Sequence, residues 1–165
     1  EAVEYIRTRQ PVNLLFVLAN IVVFLILVVL GDPADPLFMI HCGAEYPLLV
    51  TESGEYYRLF TSMFLHFGAE HLLYNMLILL YVGDQLEKCV GKIRYALIFI
   101  AGGVLGNAGS LFFQLRANDY AVSAGASGAV FAVIGGLVYA VIRNREGQQY
   151  FLRRLMIMAA LSVFQ

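Results

Sequence analysis

Apolar residues in this chain come in long, nearly unbroken runs. Neither the strict alternation of a half-buried strand nor the narrow stripe of a soluble helix is present. A crossing of the hydrocarbon core needs roughly 20 mostly apolar residues, with a range of about 17–25. Five runs are candidates, at about 13–30, 69–86, 93–115, 126–142 and 151–165. Gly31-Asp32-Pro33 ends the first run, and Glu87-Lys88 ends the second. Lipid offers no partner to an open backbone N–H or C=O, so each run predicts a helix. The expected fold class is all-α, a polytopic transmembrane helical bundle forming one domain over residues 1–165.

Composition agrees with the pattern. The chain is 60% hydrophobic and 14% charged, with a mean hydropathy of +0.73. A soluble domain is usually about half apolar and about a quarter charged. The net charge of −1 comes with no basic tract, which argues against a nucleic-acid partner. Tryptophan is absent, and the tyrosines and phenylalanines are available as interfacial anchors. The chain starts at Glu1 and stops at Gln165 inside an apolar run, so it reads as a piece of a longer protein. The first run is too long for a cleavable signal peptide and lacks a small-residue cleavage site.

Positive charge sets the expected orientation. With the N-terminus in the cytoplasm, the inner side holds Arg7, Arg9, Lys88, Lys92, Arg94, Arg143, Arg145, Arg153 and Arg154, and the outer side only Arg58 and Arg116. The outer connection, from Gly31 to about Phe67, mixes prolines with apolar and aromatic residues. Long structured connections are often functional, and this one is apolar enough to lie partly in the bilayer interface. The alternative is a plain, weakly ordered loop. Cys42 falls in the outer connection and Cys89 at the inner end of the second run, on opposite sides of the membrane, so the two cannot pair.

Polar residues at membrane depth are expensive and point to function. His71 and Asn75 are four apart and share a helix face, and His66 precedes Gly68 at the junction into the same run. Interhelical hydrogen bonding is the structural alternative. Ser127 stands in Gly125-Ala126-Ser127-Gly128, at the head of the fourth run. The second and fourth runs both enter from outside, which puts His71, Asn75 and Ser127 at one depth. Small residues recur every fourth position at Ala124, Gly128, Ala132, Gly136 and Ala140, and again at Gly102, Gly106 and Ser110. Such stripes let helices approach closely and are read as scaffold. The inner half of the bundle carries only Asn20 and Asn107 beside small residues, which argues against a transport pathway.

These residues together resemble the rhomboid family of intramembrane serine proteases. Tyr57-Arg58 is similar to its Trp-Arg pair, with Tyr in place of Trp. His66, His71 and Asn75 fit its His-x4-His-x3-Asn pattern. Gly83, Glu87, Gly91 and Tyr95 resemble its Gly-x3-Glu-x3-Gly run, and Gly125 to Gly128 its Gly-x-Ser-Gly motif. The match runs from about Tyr57 to Tyr139.

The resemblance implies six spans, five of them present here, and a serine endopeptidase that cuts in or near the transmembrane helices of its substrates. It implies Ser127 as nucleophile. The Ser127 N–H and the side chains of His71 and Asn75 become the oxyanion hole. Structural support would come from His66, Arg58, Gly125, Gly128, Phe131 and Glu87: His66 as a brace, Glu87 as a tie between helix ends, and Phe131 as a ring stacked on the catalytic histidine. That histidine belongs to the sixth span in the family, and the histidines here are His41, His66 and His71. The reaction calls for no metal or organic cofactor. Expected partners are transmembrane protein substrates and the lipid bilayer. The expected location is a bacterial plasma membrane, with several passes. The rival reading is a catalytically inactive rhomboid-like protein that binds membrane-protein clients.

Overall fold

The computed structural model describes residues 10–143, which form helices and turns with a single isolated antiparallel bridge between Glu45 and Ser123. In chain order the helices are α1 (Pro11–Leu30), α2 (Pro36–His41), α3 (Pro47–Thr51), α4 (Arg58–Thr61), α5 (Ala69–Ile78), α6 (Asp84–Val90), α7 (Lys92–Ala117) and α8 (Ser127–Arg143). A 3-10 turn, Ser62–Phe64, follows α4, and a π turn, Leu79–Gly83, joins α5 to α6. Proline opens α1, α2 and α3, where its fixed φ suits the first turn and its missing N–H would have had no partner.

The first four apolar runs each coincide with helix, and the run at 151–165 lies outside the described residues. α1 and α7 are long and apolar enough to cross a membrane. Arg58–Phe64 and Ala69–Val90 pass the same test together, with a bend of 90° between them. α8 is apolar and shorter, 17 residues as far as Arg143.

The bundle keeps an apolar core around Phe99 and Leu137, and its surface is apolar as well. Leu15, Val22, Val29, Ile93, Leu97 and Leu105 are exposed, whereas Asn13, Asn20, His66, Asn75, Asp84 and Glu87 are buried. Lipid outside makes the first set costless, and hydrogen bonding has to satisfy the second.

One end of the bundle shows how. The pattern ends the second run at Leu86 because Glu87-Lys88 looks like a solvated boundary. The helix instead continues to Val90, and Glu87 is 1% exposed. Its carboxylate accepts from the backbone N–H groups of Val12 (3.2 Å) and Asn13 (2.7 Å), and Asp84 accepts from that of Gln10 (2.7 Å). These are the orphan donors of the first turn of α1, which carries no side-chain cap of its own. Asn13 donates to the Leu79 carbonyl in the π turn (2.8 Å) and accepts from the Tyr95 hydroxyl (2.6 Å). Gly83 sits against the Asn13 and Tyr95 side chains, with no room for a Cβ.

α7 and α8 make the closest packing. Gly102 lies against Ala132, and a Cβ on Gly106 would come 2.9 Å from the Gly128 Cα. Both small-residue stripes therefore meet in one interface.

The outer connection is folded rather than loose. Arg58, 6% exposed, donates through Nη1 to the carbonyls of Ile40 (2.7 Å) and Ala44 (2.8 Å), and through Nε to Glu55 (2.6 Å). Thr61 donates to the Gly43 carbonyl (2.7 Å). Leu27, Met39, Ala44 and Leu65 close a small apolar core beneath it.

Candidate functional site

Ser127 is the first residue of α8, and the strand-like segment before it is held at three points. Glu45 and Ser123 exchange backbone hydrogen bonds of 2.9 Å in both directions. The Gly125 N–H donates to the Ser62 carbonyl (2.9 Å), and the Ala126 N–H to Nε2 of His66 (3.4 Å). His66 is fully buried. Because its Nε2 accepts, that nitrogen carries the lone pair. All three holds come from the outer connection: from Glu45, from Ser62 in the 3-10 turn, and from His66 at the junction into α5.

Glycine is required on both sides of Ser127. Gly125 has φ +142, and a Cβ there would fall 2.7 Å from Cε1 and 3.0 Å from Nε2 of His71. Only glycine combines that backbone with so close an approach. Gly128 packs onto Gly106 across the α7–α8 interface. The chain on either side of Ser127 is therefore fitted against a histidine ring at Gly125 and a helix backbone at Gly128.

His66 and His71 are brought against the segment that leads into Ser127, at Ala126 and Gly125. The two imidazoles meet edge to face, with centroids 5.1 Å apart and planes at 70°. Asn75 is buried one turn further along α5, and its Nδ2 donates to the His71 carbonyl (2.8 Å) within the helix. Its Nδ2 is thus used locally. Arg58 and Glu87 stand apart, one in the outer connection and the other at the far end of α6. Phe131, one turn after Ser127, is exposed and has no ring partner among the described residues.

Ser127 opens onto a cavity of about 510 Å³, whose lining includes Phe67, Asn107, Ser110, Ser123 and Phe131. Neither His71 nor Asn75 lines it. Asn107 corrects the sequence reading: it belongs beside Ser127 and not in the inner half. Its Nδ2 donates to the Leu59 carbonyl and to the Ser62 hydroxyl, both at 2.8 Å. Gln114 donates to the hydroxyls of Ser110 (3.1 Å) and Ser123 (2.8 Å). Asn107, Ser110 and Gln114 follow one another at steps of three and four, so they share a face of α7. That spacing was the signal available in the sequence.

Two acids of the outer connection depart from ordinary behaviour. Hydrogen bonds from Tyr57 and then Arg58 hold the Glu55 carboxyl below its usual range. Burial pushes Glu45 up to about 7.

The sequence profile of the Rhomboid domain matches residues 53–165, which is most of the chain. The chain belongs to the rhomboid family. With its long apolar helices, this rhomboid chain is an integral membrane protein. It is 34% identical over 146 residues to rhomboid protease GluP of Bacillus subtilis, covering 88% of this chain and 28% of that protein. It is 41% identical over 95 residues to RHOMBOID-like protein 4 of Arabidopsis thaliana, covering 58% and 23%. Inactive RHOMBOID-like protein 8 of the same plant is 34% identical over 104 residues, covering 63% and 28%. The rhomboid chain thus spans less than a third of the length of each of these three relatives.

Proposed function

We propose that this rhomboid chain carries the nucleophile of an intramembrane serine endopeptidase. The observation that supports it best is the setting of Ser127. It heads a helix, opens onto a cavity, and follows a glycine that lies against the His71 ring. The Ser127 hydroxyl attacks a peptide carbonyl and transfers its proton to a histidine supplied from outside these 165 residues, as the family's sixth span would supply it. The C–N bond breaks, the amine leaves with that proton, and the acyl group stays on Ser127 until water releases it.

The developing oxyanion faces the Ser127 N–H, with His71 beside it. Asn75 reaches the same place once its amide turns from the His71 carbonyl. Each such donor contributes roughly 2.7–4 kcal/mol to the transition state. The substrates are transmembrane proteins whose helices unwind at the cut, where glycine or proline lowers the cost of opening. The N-terminus is cytoplasmic and the membrane a bacterial plasma membrane, so Ser127 works near the outer surface.

A fluorophosphonate probe tests this in the full-length protein. Labelling is expected to be lost in Ser127→Ala; labelling that persists in that variant refutes the assignment. The second reading, a non-catalytic protein that binds membrane clients, draws on the relative named inactive. It predicts no labelling of the folded wild type together with retained capture of transmembrane clients.

A further inference from the structure

Glu45 is the polar residue that the fold treats most unusually. Its side chain is fully buried, and neither carboxyl oxygen has a hydrogen-bond partner among the described residues. Buried polar groups are otherwise paired, and an unpaired carboxylate in such a place is costly enough to stay neutral instead. Its backbone forms the bridge to Ser123, four residues before Ser127. The titratable groups on its own segment, and on what that segment binds, are Cys42, Tyr46, Arg58, bonded to the Ala44 carbonyl, and His66, bonded to Ala126 beyond the bridge. Arg58 spends Nη1 on the Ile40 and Ala44 carbonyls and Nε on Glu55, and the Nε2 of His66 is occupied by the Ala126 N–H. None of the four hydrogen-bonds to the carboxyl.

We propose that Glu45 is a positioning residue for Ser127: its neutral carboxyl, sealed under the outer connection, keeps the Glu45–Ser123 bridge closed, and ionisation opens that bridge and loosens the segment leading into the serine. This role rests on Ser127 being the reacting residue; the opening of the bridge does not.

Burial alone raises the carboxyl, to about 7, whereas a glutamate in an unfolded chain titrates near 4.3. Between those values the folded form keeps a proton that the unfolded form has lost. The contribution of Glu45 to stability is therefore greatest below about 4.3 and falls as pH rises toward 7. Above 7 the carboxyl is ionised in the closed and the open form alike, so the pull toward opening levels off there.

The experiment is amide hydrogen exchange at Glu45 and Ser123 in the full-length protein in micelles, from pH 5.5 to 8.5. Wild type is compared at each pH with Glu45→Gln and with Glu45→Leu. The Ala44 amide, bonded to the Met39 carbonyl, serves as internal reference in wild type alone, so the result survives a variant that folds poorly. Relative to Glu45→Gln, the bridge amides of wild type should exchange up to about 30-fold faster at pH 8.5 than at pH 5.5, the factor set by the one and a half pH units between 5.5 and about 7, with a plateau above 7. The fluorophosphonate rate at Ser127, taken as the ratio of Glu45→Gln to wild type, should climb over the same interval. A ratio of exchange rates flat across pH overturns the proposal. Exchange that responds while the labelling ratio stays flat overturns the positioning role. Exchange that responds with Ser127 inert in every protein supports release on ionisation and overturns the enzymatic reading alone.

Discussion

Gly106→Ala isolates what the α7–α8 contact does for Ser127. The added methyl would stand 2.9 Å from the Gly128 Cα, a backbone atom that cannot swing aside. Carbon atoms pack best at about 3.5–4.0 Å, so the helices must part by about 0.6–1 Å at this level. Overpacking of that kind costs about 1–3 kcal/mol. Replacing glycine by alanine inside a helix returns about 0.8–1 kcal/mol of propensity. The net loss of stability is thus small, about 2 kcal/mol at most. The loss at the site is larger, because Gly128 is the residue after Ser127, and a displacement of about 1 Å can lower a rate by about 10²-fold.

Gly109→Ala is the matched control: it lies three residues along the same helix, with open space around its Cβ position. Two measurements in the full-length protein are needed, thermal unfolding in micelles and the rate of fluorophosphonate labelling. Gly109→Ala is expected to unfold at or above the wild-type temperature and to label normally. Gly106→Ala is expected to unfold slightly earlier and to label tens of times more slowly. Equal labelling rates for the two variants would refute the claim that this glycine contact sets the serine.

Two further substitutions probe the supports at either end of the bundle. Glu87→Ala strands the Val12 and Asn13 amides at the start of α1; at about 1–3 kcal/mol for a buried donor left unpaired, denaturant unfolding should show a clear loss, while the fraction still folded keeps its labelling rate. Arg58→Lys keeps the charge but cannot reach two carbonyls and a carboxylate from one rigid fork; hydrogen exchange should quicken across residues 40–45 and stay unchanged in the α7–α8 interface.

The helices were legible in the sequence because lipid imposes a plain rule: an apolar run of sufficient length must satisfy its own backbone. The small-residue stripes were legible for a similar reason, since a helix can come close to another only where side chains are small. The apolar pattern alone took Glu87 for a boundary because charge normally marks solvent, whereas the resemblance gave it as a tie between helix ends, in line with its bonds to Val12 and Asn13. Here the carboxylate is hidden by the N-terminus of α1, a partner 74 residues away in sequence for Asn13. Asn107 was misplaced for a related reason. A lone amide in an apolar run carries no information about depth until its partners, Leu59 and Ser62, are known. Glu45 gave no signal at all, because nothing local distinguishes a buried glutamate from a solvated one.

Ser127 owes its position to backbone more than to side-chain packing. The Gly125 N–H binds the Ser62 carbonyl, the Ser123 N–H binds the Glu45 carbonyl, and Gly128 rests on the Gly106 backbone. Backbone groups have few ways to relax, so the main chain of a serine held this way is set within a narrow range and only its χ1 is left to choose. The arrangement also makes the outer connection part of the site. Arg58 fixes the Ala44 carbonyl, the next residue bridges to Ser123, and Ser123 leads through Gly125 into the helix that begins with Ser127. A change some distance from the serine can therefore alter its reactivity while the apolar core stays intact. Stability and labelling should separate for substitutions along this path, and should move together for substitutions in the core around Phe99 and Leu137.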